Sequence, residues 1–286
     1  MKDSFSFHGW FRAHKWLLAR RLSQLGVLAL FLAGPVTGVW LAEGNLSGSL
    51  ILGVLPLTDP FLLLQSILSG SLPVASGATG ALIVLVFYAL VGGRVFCSWV
   101  CPVNPVIDLA AWLRRRLDLR GAGVLSRRLR YWLLGLVLLF PPLTGVMVWE
   151  YFNPVSMLHR GLIFGIGWAW MVILALFLFD LFVAKRGWCS HLCPMGAFYG
   201  LIGSGAVVRV SAAKRDQCND CMDCFAVCPE PQVIKPALKG AVDGVSPVIP
   251  DRHCTNCGRC IDVCSQNVFR FATRLHNRAG SHSGIV

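Results

Sequence analysis

Apolar positions in this chain run in long blocks, neither alternating as in a half-buried strand nor spaced as on one face of a helix. Four blocks, residues 22–41, 75–96, 131–149 and 162–183, are long enough to cross about 30 Å of hydrocarbon as helices. A fifth, residues 50–68, is broken by Pro56, Asp59 and Pro60, and reads as an interfacial or re-entrant element. Asp59-Pro60 and Asn153-Pro154 read as helix starts, a side-chain acceptor followed by proline at the first helical position. The apolar runs after them, 61–64 and 155–158, are expected at the membrane interface near span ends. Residues 106–119 are amphipathic and end in arginines, as a docking or lipid-surface helix would.

The blocks repeat. Pro35-Val36-Thr37-Gly38-Val39 answers Pro142-Leu143-Thr144-Gly145-Val146, Asp59-Pro60 answers Asn153-Pro154, and the segment 94–102 (RVFCSWVCP) answers 186–194 (RGWCSHLCP). Three matches in one order indicate a duplication, with repeats at about 22–118 and 131–205. Two spans per repeat return the chain to the same face, so both C-x3-C-P motifs fall at equivalent span ends. The prolines at Pro35 and Pro141-Pro142 are expected to kink their helices, with the matching Thr-Gly relieving the opened carbonyls.

Charge fixes the orientation. Hydrophobic residues make up 55% of the 286 and charged residues only 14%, while the net charge is +12. Lys2, Arg12, Lys15, Arg20 and Arg21 precede the first span, and Arg114, Arg115 and Arg116 stand between the second and third. Residues 42–74 have no Lys or Arg, and the loop after the third span has only Arg160. Both termini are therefore expected in the cytoplasm of a bacterial inner membrane. The positive charge serves topology and anionic lipid, with no nucleic-acid role expected. Arg20-Arg21 before an apolar run resembles an export signal, but the run is long and no small-residue cleavage site follows.

Eight of the twelve cysteines form two runs, Cys218, Cys221, Cys224, Cys228 and Cys254, Cys257, Cys260, Cys264, each spaced C-x2-C-x2-C-x3-C. Short x2 steps hold three thiolates on one cubane, and the longer step sends the fourth to the other cluster. Cluster one then takes Cys218, Cys221, Cys224 and Cys264; cluster two takes Cys254, Cys257, Cys260 and Cys228. Structural zinc uses two separated pairs and gives no reason for this repeated run. Disulfides conflict with a cytoplasmic module. The fold class that results is a membrane all-α domain of four transmembrane helices as a tandem two-helix repeat, plus a C-terminal α+β bacterial-type module for two [4Fe-4S] clusters. Its parts are a cytoplasmic segment 1–21, a membrane domain 22–205, a dicluster domain 206–275 and a flexible tail 276–286.

Cys97, Cys101, Cys189 and Cys193 remain. They can hold a metal or a third iron-sulfur centre, act as a dithiol pair, or belong to contacts that seat the ferredoxin module; the plain alternative is packing, since cysteine behaves as a compact hydrophobe. If a lipid-soluble quinol is the reductant, its oxidation releases protons that need acceptors. Asp59, Glu150 and His159, with Glu43, are candidates on the outer side, and His191, Asp108 and Asp180 on the inner. Capping, span anchoring and ordinary interfacial pairing are the plain alternatives for these residues.

Four spans, paired C-x3-C-P motifs and a module reading CNDCMDCFAVCPEPQVI and CTNCGRCIDVCSQNVF resemble the NapH family, ferredoxin-type membrane subunits of periplasmic nitrate reductase systems. The resemblance implies a quinol dehydrogenase component. It would take electrons from membrane quinol and work with a periplasmic iron-sulfur partner resembling NapG, toward the electron-transfer subunits of nitrate reductase. It implies that the eight module cysteines are cluster ligands and that Cys97, Cys101, Cys189 and Cys193 are required thiols. Wider relatives such as NosR and CcoG carry further domains, for which this chain has no room. Two rival readings are a biogenesis factor for copper or cytochrome oxidase assembly and a redox sensor.

Overall fold

Proline-threonine-glycine and aspartate-proline pairs decide where the helices of this chain stop and start. The computed structural model describes residues 7–119, 123, 125–165 and 167–274, so the expected tail 276–286 lies outside the described residues. The chain divides into two compact units. One takes the sequence up to Ser23, Tyr88–Trp99 and the sequence from Gly200 on; the other takes Gln24–Phe87 and Val100–Tyr199. Up to Ile202 the elements are α1 (Phe7–Thr37), β1 (Ala42–Asn45), β2 (Gly48–Ile51), β3 (Leu55–Thr58), α2 (Pro60–Leu68), α3 (Ala75–Val91), α4 (Val103–Arg116), α5 (Leu129–Thr144), α6 (Val148–Phe152), α7 (Pro154–Phe164), α8 (Gly167–Leu178) and α9 (Pro194–Ile202). Beyond it lie β4 (Val208–Ser211), α10 (Asp223–Val227), α11 (Ile234–Lys239), α12 (Arg259–Val263) and β5 (Arg270–Thr273).

In the 24–199 unit, the repeated sequence devices give repeated geometry. Both Thr-Gly pairs end a helix. Thr37 Oγ1 donates to Ala33 O at 2.7 Å and Thr144 Oγ1 to Phe140 O at 2.9 Å, while Gly38 and Gly145 take positive φ as C-terminal caps. The expected kink is thus a helix stop, reached by α1 at Thr37 and by α5 at Thr144, short of the predicted span ends. Asp59 Oδ1 accepts from Phe61 N at 2.9 Å and Asn153 Oδ1 from Val155 N at 3.1 Å, each with proline at the helix start, as expected of N-caps.

The starts of both capped helices are buried and packed crosswise between repeats. On α2, the Phe61 ring sits 5.0 Å from that of Phe198 on α9. On α7, Val155 and Leu158 join Val103 and Ile107 of α4 and Ile173 and Leu176 of α8 in one apolar core. A cap that satisfies the first N–H groups lets a helix start inside a core, a possibility that hydropathy alone does not register.

The all-α expectation also fails locally, because β1, β2 and β3 form an antiparallel sheet in that order. Asn45 Oδ1 accepts from Ser47 N at 2.8 Å to close the first turn. Leu52 and Gly53 supply the two positive φ angles of the second. Gly80 leaves room on α3 for this sheet, since a Cβ there would press on the Pro56 carbonyl.

Ala13–Thr37 is the one helix, among the described residues, long and apolar enough to cross a membrane; Ala75–Val91, Leu129–Thr144 and Gly167–Val183 are apolar but shorter. They present large apolar side chains outward, among them Leu82 and Phe87, Leu139 and Leu143, and Trp168 and Met171.

In the other unit, β4 and β5 pair antiparallel, Val208 opposite Thr273 and Ser211 opposite Arg270. Val210, Ile234, Leu238, Ile249, Val268 and Phe269 form its core with Cys224 and Cys260. The 88–99 segment belongs to this unit, where Val207 N donates to Leu90 O at 2.8 Å. The Trp16 and Leu17 N–H groups of α1 both donate to the Asp262 carboxylate, at 3.2 and 2.9 Å. Backbone also meets backbone where Gly203 lies against Gly93, so closely that any Cβ on Gly203 would overlap it. Gly203→Ala is therefore expected to cost about 1–3 kcal/mol or more through overpacking. Thermal unfolding in detergent should show that loss, while Gly205→Ala, whose Cβ meets nothing within 4 Å, stays close to the parent.

Candidate functional site

The two cysteine runs make the same turn twice. The residues two and four places after the first cysteine take positive φ: Asp220 and Met222 in one run, Asn256 and Gly258 in the other. The third cysteines, Cys224 and Cys260, then sit on the short helices α10 and α12. At Cys228 and Cys264 the backbone is extended and leads away. Cys218, Cys221, Cys224 and Cys264 line one small hollow with Phe225, Leu238 and Phe269. Cys228, Cys254, Cys257 and Cys260 line a second with Val210, Ile234 and Ile249. Each run thus contributes three thiols to one hollow and its fourth to the other.

The donor set fits an iron-sulfur cluster in each. Burial pushes the Cys224 and Cys254 thiols up to about 11 and raises those of Cys228 and Cys260, because a thiolate in an apolar hollow lacks a counter-charge. A cationic iron core supplies one. None of the twelve cysteines is in a disulfide. Among the described residues no group of three or more His, Cys, Asp or Glu is arranged to hold a single metal ion.

The second hollow is set among buried arginines. Arg94 pairs with Glu230 at 2.7 Å and donates to His253 O at 2.9 Å. Arg209, 1% exposed, donates to the carbonyls of Gly203, Ser204, Ala206 and Asp251. At Cys257 burial again acts upward, but Arg259 and Arg20 outweigh it and hold the thiol below its ordinary value. The first hollow has a different margin, with the exposed Asp220 paired to Lys239.

Both C-x3-C-P motifs form a π-helical turn, Phe96–Val100 and Trp188–Leu192, a geometry common at functional sites. A new helix begins at each proline, α4 after Pro102 and α9 at Pro194. Cys97, Cys101, Cys189 and Cys193 are all partly buried. Neighbours of Cys97 reach the second cysteine loop: Ser98 Oγ donates to Thr255 O at 2.7 Å and Trp99 Nε1 to Asn256 O at 3.1 Å. In the later motif, Trp188 N donates to Asp180 Oδ1 at 3.0 Å and Arg186 pairs with Asp108 at 2.9 Å.

The proton-acceptor candidates separate. Tyr199 OH donates to Asp59 Oδ1 at 3.1 Å, and Asp59 Oδ2 is buried with no partner. Burial pushes Asp59, which lies outside the apolar helices, up to about 7, with the Glu150 charge adding to the rise. Unpartnered buried atoms Gln65 Nε2 and Trp149 Nε1 belong to the same core, where the Trp149 N–H donates to Gln65 Oε1 at 3.4 Å and its ring stacks on Trp188. Glu150 pairs with Arg160 at 3.2 Å. His159 is buried edge-on against Phe31 at 5.2 Å, not in a pair with its sequence neighbour, and burial lowers its pKa. His191 lies on the second π-helical turn, and Glu43 on β1.

Sequence reasoning missed Arg209, Tyr199, Asp262, Asn256 and Gln65. Arg209 stands out in Val-Arg-Val-Ser, a cation in an otherwise apolar strand, and Asp262 as an acid inside a cysteine run. Nothing local marks Tyr199 or Gln65.

A 4Fe-4S binding domain family matches residues 74–120 and again 166–211, and a 4Fe-4S dicluster domain family matches 210–265. The double match falls on the two C-x3-C-P repeats. The chain is 51% identical over 281 residues to ferredoxin-type protein NapH of Escherichia coli, covering 98% of this chain and 97% of that one. It is 48% identical to NapH of Haemophilus influenzae, covering 99% and 96%. It is 55% identical to the methylamine utilization ferredoxin-type protein MauN of Paracoccus denitrificans, covering 93% of each. No solved structure matches.

The crosswise hollows make a chemical prediction. Cys228→Ala should remove iron from the second hollow only, halving iron and acid-labile sulfide and leaving the EPR signal of the cluster held by Cys218, Cys221 and Cys224. Loss of that signal instead would assign Cys228 to its own run.

Proposed function

Because the chain belongs to the family of ferredoxin-type proteins that includes NapH, we propose that it is a membrane subunit for quinol-linked electron transfer, carrying electrons toward a periplasmic nitrate reductase. The observation that carries this reading is the pair of hollows, each ringed by four thiols contributed three and one by the two runs. Cys218, Cys221, Cys224 and Cys264 hold one [4Fe-4S] cluster, and Cys254, Cys257, Cys260 and Cys228 the other. Bound clusters supply one-electron redox chemistry with little rearrangement around them. The chain places apolar walls against them, Phe225, Leu238 and Phe269 at the first and Val210, Ile234 and Ile249 at the second.

The membrane reading rests on the four apolar helices and their outward side chains. Ala75–Val91 has 17 residues and Leu129–Thr144 has 16, at the short end of what a span needs. Side chains such as Leu82, Phe87, Leu139, Leu143, Trp168 and Met171 are suited to lipid and costly in water. With Lys and Arg distributed as they are, both termini face the cytoplasm. The resemblance to NapH implies a periplasmic iron-sulfur partner resembling NapG as the acceptor, across the membrane from a cytoplasmic cluster module.

Oxidising a quinol gives up two electrons and two protons, so the site needs bases. Asp59 is the first of these, since it titrates near neutrality and its Oδ2 faces no other donor. Glu150, His159 and His191 complete the proton set, Glu150 through its charge on Asp59. Cys97, Cys101, Cys189 and Cys193 act as redox or structural thiols, the first motif through the Ser98 and Trp99 contacts that seat the second cysteine loop.

The 55% identity to MauN supports a second reading, in which the electrons serve methylamine utilisation. The two differ in partner, not in the chemistry of this chain.

Anaerobic mixing of the purified protein with a quinol analogue should reduce the clusters, as read by EPR and absorbance. No reduction under conditions where dithionite reduces both clusters would count against a self-contained quinol path. Asp59 is protonated in the fold below about pH 7, so the rate should fall as pH drops through that value. Asp59→Asn should be slow and lose that pH dependence, with its clusters intact.

A further inference from the structure

Two iron-sulfur sites in one module need not be redox equals, and the side chains around these two differ in sign. Three levers are available to the protein: nearby charge, hydrogen bonds to sulfur, and exposure to water. Exposure sets the first site apart, because Cys221 is exposed while Cys257 and Cys260 are buried. A reduced cluster carries the more negative charge, so burial alone would place the second site at the lower potential.

Fixed charge opposes this. Arg209 projects from β4 on the face opposite Val210, which lines the second hollow, and its charge acts on the Cys254 thiol through the strand. Its guanidinium is spent entirely on backbone carbonyls: Ala206 O at 3.3 Å, Asp251 O at 3.3 Å, Gly203 O at 2.5 Å and Ser204 O at 3.0 Å. Among the described residues no carboxylate side chain hydrogen-bonds it, although the Asp251 charge acts on it from nearby, and an arginine keeps its own charge at any working pH. Arg94 differs in being neutralised by Glu230. Arg20, fully buried, donates to Trp16 O at 3.3 Å, and the Trp16 side chain presses on Gly258, next to Cys257 in the loop. Arg259 follows in sequence and is also buried. At the first hollow, Asp220 and Asp223 are in the wall; the Asp220 carboxylate lies 3.4 Å from Cys218 Sγ and pairs with the exposed Lys239. Water screens that pair, whereas buried guanidiniums act through a medium of low polarisability.

We propose that Arg209, supported by Arg20 and Arg259, makes the site of Cys228, Cys254, Cys257 and Cys260 the higher-potential one of the two. This rests on the reading of both hollows as [4Fe-4S] sites. The first electron taken up by the module then settles at the second site, and the exposed first site is reduced only at lower potential. Arg209 is a positioning residue for charge and touches no substrate.

A potentiometric titration of the intact protein followed by EPR tests this. Two resolved reduction steps are expected, and Cys221→Ala, which disables the first site, should retain the upper step. Arg209→Gln should shift that step to lower potential and leave the other in place, while Arg209→Lys, which keeps the charge, should shift it less. Retention of the lower step in Cys221→Ala, or no shift in Arg209→Gln, would overturn the proposal. Should Arg209→Gln fail to assemble its clusters, the wild type and Cys221→Ala still decide the order of potentials. Absence of any [4Fe-4S] signal from the reconstituted wild type would instead sink the cluster reading beneath it.

Discussion

The placement of one loop, residues 254–260, is the constraint on which the ferredoxin-bearing unit depends. Three of its residues are thiols that must surround a hollow, so the backbone between them can shift little. Separate stretches of sequence fix that backbone. Ser98 and Trp99 bond the Thr255 and Asn256 carbonyls, Arg94 bonds that of His253, and Asn256 Nδ2 reaches Val208 O at 2.9 Å and Val91 O at 3.3 Å. Trp16 closes the remaining side against Gly258, and its own N–H is held by Asp262, two residues past Cys260. Each contact satisfies a polar group that burial would otherwise leave costly. The segment 88–99 and the start of α1 are therefore structural parts of the ferredoxin unit, although the apolar block 75–96 reads as a membrane span and residues 1–21 as a separate segment.

Duplication supplied the parts and divergence gave them different work. The two C-x3-C-P segments share an arginine, a π-helical turn and a helix restarted at proline. Yet Arg94 pairs with Glu230 while Arg186 pairs with Asp108, and Trp99, whose indole donates to Asn256, is answered by His191. What both copies retain is the turn itself, and its two cysteines. A feature retained through such divergence in its surroundings is poorly explained by those surroundings. The match of both copies to a 4Fe-4S binding domain family is consistent with a role for the thiols themselves.

Legibility in the sequence followed how local the physics was. The cysteine runs, the Asp-Pro and Asn-Pro caps and the repeat were all readable because each depends on residues a few places apart. The β1–β3 sheet was not, since its strands are short, one carries Pro56, and their apolar content merged with α2 into one hydropathic block. The helix starts at Asp59 and Asn153 were readable, but the packing around them was not. Capping is local, but burial depends on Phe198, Tyr199, Val103 and Ile107, far away in sequence. Arg209 shows the same limit, because its carbonyl partners exist only after folding.

Asp59 and Asn153 together separate structure from chemistry. They occupy matching places, each accepting the N–H two residues on through Oδ1, each followed by proline, each buried. Asparagine performs this cap without a charge. Aspartate at the same place adds a charge that the helix N-terminus favours, but burial outweighs this and moves it to about 7, so that near neutrality its ionised form is held at a cost to the fold. Its Oδ2 is left without a partner, where Asn153 Nδ2 donates to Ser156 Oγ at 3.0 Å. The two repeats thus contain their own control: the neutral copy satisfies both polar atoms, and the ionisable copy leaves one open. A group that is costly when charged and open at one oxygen suits the proton exchange proposed for it. Tyr199, bonded to the other oxygen, holds the carboxyl in place for it.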